Sequence, residues 1–110
     1  MNFDEYQKKA LTTNLAYGDK FHQLMQQVLG LADEAGEVQS LFKKWIRDDG
    51  ADFDKLKKDE IAKELGDVLW YIAVVSHYLD INLNEVAEKN ISKLADRMKR
   101  NKIGGSGDNR

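Results

Sequence analysis

Leu31-Ala32-Asp33-Glu34-Ala35-Gly36-Glu37-Val38 and Ile61-Ala62-Lys63-Glu64-Leu65-Gly66-Asp67-Val68 share one pattern, acid-x-Gly-acid within an apolar repeat of helical period. Three-residue spacing sets the two carboxylates of each tetrad side by side on a helix face. Two such helices packed together bring Glu34, Glu37, Glu64 and Asp67 to one place. Like charges at short range repel, so such a cluster calls for a cation. A donor set made only of oxygen suits a hard ion: Mg²⁺, Mn²⁺ or Ca²⁺.

Working outward, the first tetrad lies in the clearest apolar stripe of the chain: Leu24, Val28, Leu31, Ala35, Val38, Phe42 and Trp45. Glu34 and Glu37 fall on one flank of that stripe, where a neighbouring helix would meet them. The second tetrad lies in the stripe Ile61, Leu65, Val68, Leu69, Ile72, Val75 and Leu79. Glu60, Glu64, Asp67 and Tyr71 share one flank of it, within about 60° on a helical wheel. Between the two runs Arg47–Asp52 reads as a loop, with Asp52 or Asp54 to cap the helix that follows. A first helix is expected over residues 3–16, with Phe3, Tyr6, Ala10 and Leu11 inward. Tyr17-Gly18-Asp19 then breaks the chain, and Asp19 caps the second helix. After Asp80-Ile81, Asn82 and Glu85 have capping-box spacing. The last helix has the stripe Leu83, Ala87, Ile91, Leu94 and Met98, with Asn90, Lys93, Arg97 and Arg100 along one flank. The expected fold is all-α: a compact antiparallel four-helix bundle over residues 1–103, oligomeric, with a flexible Gly/Ser tail at 104–110.

The 110 residues fit one domain, with a modest core that a subunit contact would complete. Absence of cysteine excludes disulfides, thiolate metal sites and a cysteine nucleophile. No apolar run reaches the roughly 20 residues of a membrane span, and Met1-Asn2-Phe3-Asp4-Glu5 has no signal-peptide pattern. A cytoplasmic protein without membrane partners is expected. A net charge of −2 argues against nucleic acid as a partner. That charge is uneven: from Lys93 onward six basic residues stand against two acidic ones, a net +4 that leaves −6 for the rest.

Acids with a metal on two helices and cations on a third suit a polyphosphate ester. Mg²⁺ completes its shell with phosphate oxygens, and Lys93 and Arg97 complement the phosphates that the acids repel. Trp45 and Tyr71 are candidates to contact a base or sugar. Glycine inside a helix costs about 1 kcal/mol relative to alanine. Gly36 and Gly66 therefore point to close approach of a ligand or of a packed helix.

Gly30-Leu31-Ala32-Asp33-Glu34-Ala35-Gly36-Glu37-Val38 followed by Glu64-Leu65-Gly66-Asp67-Val68-Leu69-Trp70-Tyr71 resembles the MazG-like nucleotide pyrophosphohydrolases of the all-α NTP pyrophosphatase superfamily. The resemblance runs from about Leu29 to Arg100. It implies Mg²⁺-dependent cleavage of a nucleoside triphosphate to monophosphate and pyrophosphate, with Mn²⁺ as a substitute ion. It assigns Glu34, Glu37, Glu64 and Asp67 to the metal, Lys93 and Arg97, with Asn90 beside them, to the substrate, and a homodimer or homotetramer to the assembly. Phosphoribosyl-ATP and alarmone hydrolysis are the enzymatic alternatives, and a non-catalytic helical oligomer is the alternative of another class. A carboxylate-bridged di-iron centre needs Glu-x-x-His pairs, and neither His22 nor His77 has glutamate three residues before it.

Overall fold

The computed structural model describes residues 1–15 and 17–110. Among them are four α-helices, α1 (Phe3–Leu11), α2 (Lys20–Asp49), α3 (Lys58–Tyr78) and α4 (Leu83–Lys99), with a 3₁₀ turn at Phe53–Lys55 and no strand. The all-α class is the one expected. The long helices α2 and α3 are the principal pair, and they run antiparallel, since Gly30 meets Tyr71 while Glu34 meets Asp67 and Glu64. α1 packs across α3, and α4 packs against α1 and α3. The radius of gyration is 17.0 Å and the extents are 44 × 44 × 28 Å. A globular chain of this length has about 13 Å, so much surface of the helices faces outward.

Asp19 caps α2 as expected, accepting from the His22 N–H at 2.9 Å. α1 is shorter than expected. It stops at Leu11 because Thr12 and Thr13 turn their hydroxyls back to the carbonyls of Lys9 and Ala10, each at 2.7 Å. The expected last residue of that helix, Ala16, lies outside the described residues. Arg47, Asp48 and Asp49 belong to α2 rather than to the loop, and Gly50 ends that helix at φ 61°, in the left-handed region glycine adopts readily. Asp52 caps the 3₁₀ turn through the Asp54 N–H at 3.0 Å, and α3 starts after Lys57 with no side-chain cap.

Two Asn-x-x-Glu stretches have capping-box spacing, and only one forms the box. At α1, Asn2 Oδ1 accepts from the Glu5 N–H at 2.8 Å and Glu5 accepts from the Asn2 N–H at 3.3 Å. At α4, Asn82 makes no side-chain cap. The N–H groups there are taken instead by α1: Leu83 N–H donates to Gln7 Oε1 at 3.0 Å and Asn84 N–H to Asp4 Oδ1 at 3.2 Å. Glu85 turns away to Lys89, 2.6 Å distant.

The core where α1, α3 and α4 meet is Ala10, Ala73 and Leu83, enclosed by Tyr6, Trp70 and Ile72. Along α2 the inward face is Leu24, Gln27, Leu31, Glu34, Val38, Leu41 and Trp45, whereas Val28, Ala35 and Phe42 of the expected stripe are exposed. The stripe of α2 is wider than the strip that α3 covers, so its far edge is left in the open. On α3 Leu65 and Leu79 are likewise exposed, and on α4 so are Ile91, Leu94 and Met98.

Candidate metal centre

The antiparallel register of α2 and α3 sets Glu34 opposite Glu64 and Asp67. One carboxylate oxygen from each of the three lies within 4.8 Å of the others. Glu34 and Glu64 are half-buried and Asp67 is exposed, so the cluster sits at the rim of the helix pair. Burial, and then the charges of Asp67, Glu64, Asp33 and Glu37, push the Glu34 carboxyl above the ordinary glutamate range. Three converging carboxylates, an all-oxygen set of like charges, fit a hard divalent cation. Glu37 is exposed and is not in the converging group, though its charge reaches Glu34.

Further along the helix pair, where the last turns of α2 meet the first turn of α3, lies a hollow of about 330 Å³. Leu41, Lys44, Trp45, Lys57, Glu60 and Ile61 are among its walls. Glu34, Glu64 and Asp67 do not line it; Glu60, which does, precedes Glu64 by about one helical turn. Trp45 is held there by its Nε1–H, which donates to the Asp52 carbonyl at 2.7 Å, and by Phe53, whose ring is 5.2 Å away.

A family profile, the MazG nucleotide pyrophosphohydrolase domain, matches residues 22–101. The chain belongs to this family. It is also similar to the "Gene 37 protein" of Mycobacterium phage L5, at 39% identity over 114 residues covering 100% of both chains. No solved structure matches it. The MazG match takes in α2 from His22 onward and all of α3 and α4, and leaves out α1.

Some residues around the MazG cluster are not apparent from the tetrads. Tyr6 of α1 is one: burial and the Asp67 charge push its phenol above the usual tyrosine range, which places α1 beside the acids. Gly30 is another. A Cβ built there would overlap Cε1, Cζ and Oη of Tyr71, so the phenol end of the tyrosine lies against the α2 backbone one turn from Glu34. Gly36 and Gly66, by contrast, have no described atom within 4 Å of an added Cβ. Close packing within the chain is thus not what they serve. Gly30→Ala should gain about 1 kcal/mol of helix propensity. Overpacking against Tyr71 should cost more, for a net loss of about 1–3 kcal/mol in urea unfolding. Adding Tyr71→Ala should remove the clash, so that the two changes together cost less than their sum.

The basic flank of α4 is engaged elsewhere. Lys93 Nζ lies 2.7 Å from Asp108 Oδ1, and Arg97 donates to both the carboxylate and the carbonyl of Asp108. Asn90 is exposed. Among the described residues, no helix is long and apolar enough to cross a membrane.

Proposed function

We propose that the chain is a Mg²⁺-dependent nucleoside triphosphate pyrophosphohydrolase, releasing pyrophosphate and a (deoxy)nucleoside monophosphate. The observation that carries this reading is the convergence of Glu34, Glu64 and Asp67 from two helices inside a MazG domain. Glu34, Glu64 and Asp67 would hold the ion, with Glu37 one turn along. When bound, Mg²⁺ supplies charge neutralisation at the phosphates and polarises water. Water forms a bond to a phosphorus of the α–β bridge, the anhydride P–O bond breaks with its electron pair on the leaving phosphate, and a carboxylate of the cluster takes the proton. Lys93 and Arg97 steady the phosphates. Trp45, in the wall of the hollow beside Glu60, or Tyr71, which packs on α2 at Gly30, contacts the base or sugar.

A second copy of the chain completes the domain. Ile46, Ile91 and Met98 are 60%, 66% and 67% exposed, which is far from what isolated amphipathic helices retain once their apolar faces are packed. A homodimer or homotetramer covers these faces and limits the open space above Gly36 and Gly66. Incubation with a panel of canonical and modified nucleoside triphosphates, with and without Mg²⁺, tests the activity. Metal-dependent appearance of pyrophosphate and monophosphate is expected. Stepwise release of orthophosphate, or no product from any nucleotide, overturns it and leaves a non-catalytic helical assembly.

A further inference from the structure

The last residues of the chain form a closed loop whose contents match the α4 flank they cover. Arg110 donates to three carbonyls of its own segment, Ile103 at 2.9 Å, Gly104 at 3.1 Å and Gly107 at 2.6 Å. Arg100 donates to the Arg110 carbonyl at 2.9 Å. This ring of bonds holds Asp108 against α4, where its carboxylate meets both Lys93 and Arg97. The contact is not a loose surface pair on the α4 side: Arg97 is 5% exposed. Hydrogen bonds from Lys93 and then Arg97 hold the Asp108 carboxyl below the usual aspartate range, so it stays charged at neutral pH. A carboxylate bridging a lysine and a buried arginine makes the contacts that a phosphate oxygen would make. Asp108 itself is largely open to water, and Gly105 and Gly107 at φ 96° and 89° give the loop little apolar anchoring, so the closure can be reversed.

We propose that the segment from Gly104 to Arg110 is a built-in competitor for the phosphate seat, with Asp108 occupying Lys93 and Arg97 until the phosphates of a substrate displace it. This rests on the reading of Lys93 and Arg97 as phosphate contacts. Only the fraction of molecules with the strap open can bind phosphate there, so apparent affinity is reduced by that fraction. Anions that fit the seat open the strap, and free pyrophosphate competes with it as substrate does.

The test uses the full chain with inorganic pyrophosphate and Mg²⁺ in titration calorimetry, which needs no turnover. Asp108→Asn is expected to tighten pyrophosphate binding by about 3- to 10-fold. It should lower KM for the hydrolysed nucleotide by a similar factor with kcat unchanged. Arg110→Ala, which loosens the loop without touching the seat, should act in the same direction. In the wild type, pyrophosphate should move the amide NMR signals of Gly105 and Gly107 toward random-coil positions. Affinity that is unchanged or weaker in Asp108→Asn overturns the strap. Lys93→Gln separates the two levels. If it weakens pyrophosphate binding while Asp108→Asn changes nothing, the seat stands and the strap fails. If Lys93→Gln binds as the wild type does, the seat itself is wrong and the strap falls with it.

Discussion

Asp67→Asn and Glu34→Gln are each expected to lose at least about 100-fold in kcat while keeping the helical circular dichroism of the wild type. Each replaces one of three converging carboxylates, whose oxygens lie within 4.8 Å of one another, with a neutral amide that binds a hard cation far more weakly, and neither side chain fills the core. The two effects on stability have opposite signs with and without metal. Without metal, the raised carboxyl of Glu34 means that its charged form is disfavoured in the folded chain. The native state therefore binds more protons than the unfolded one between the ordinary and the raised value, and stability falls as pH rises through that window. Glu34→Gln removes this loss and should melt higher than the wild type at neutral pH, by roughly 2–5 °C. With Mg²⁺ the order reverses, because only the wild type gains stability from an ion that binds the folded state. Melting curves at several Mg²⁺ concentrations check both halves. A variant that hydrolyses nucleotide at the wild-type rate removes the site assignment, and a wild type that melts independently of Mg²⁺ removes the ion.

What the sequence made legible is what period alone determines. Both tetrads lie in long helices of unbroken 3.6-residue pattern, so their presence on α2 and α3 and the approach of Glu34 to Glu64 and Asp67 followed from the spacing, whereas Glu37, expected with them, is exposed and outside the group. Finer placement depended on how much of each stripe a neighbour covers. On α2 the apolar band is broad enough to include two overlapping faces, and α3 covers the one with Gln27, Glu34 and Leu41, not the one with Val28, Ala35 and Phe42. Leu24, Leu31, Val38 and Trp45 belong to both faces, so the helix is turned by only about 40° from the expected direction, enough to bring Glu34 from the flank to the inner rim. The caps show the same limit. Asn82 has the spacing of a cap, but Gln7 and Asp4 reach its helix first, and no local signal says that α1 arrives there. Gly30 is unremarkable in sequence because its constraint comes from Tyr71, on another helix. The bond between Lys93 and Asp108 likewise joins residues that composition assigns to a helix and a flexible tail.

Gln7→Ala is expected to cost about 3–5 kcal/mol of stability, a large part of the roughly 5–15 kcal/mol of a domain this size. Gln7 is 7% exposed, and its side-chain amide joins α1 to α3, to the α3–α4 connection and to the start of α4. Its Nε2 donates to the Ala73 carbonyl of α3 at 2.9 Å and to the Ile81 carbonyl of the α3–α4 connection at 3.1 Å. Its Oε1 accepts from Leu83 N–H, the first residue of α4. Alanine would leave the Ile81 carbonyl and the Leu83 N–H without these partners in a buried place and open a void beside Ala10 and Ala73. Leucine would fill the void and keep the unpaired groups, so Gln7→Leu should recover only part of the loss. Asp4→Ala is the informative contrast. Asp4 makes the equivalent bond to Asn84 N–H, but in an exposed place, where water replaces it at a cost of about 0.5–1 kcal/mol. Urea unfolding of the three variants measures the difference. Equal losses for Gln7→Ala and Asp4→Ala would mean that burial does not set the cost, and that α1 is not what holds the start of α4 in place.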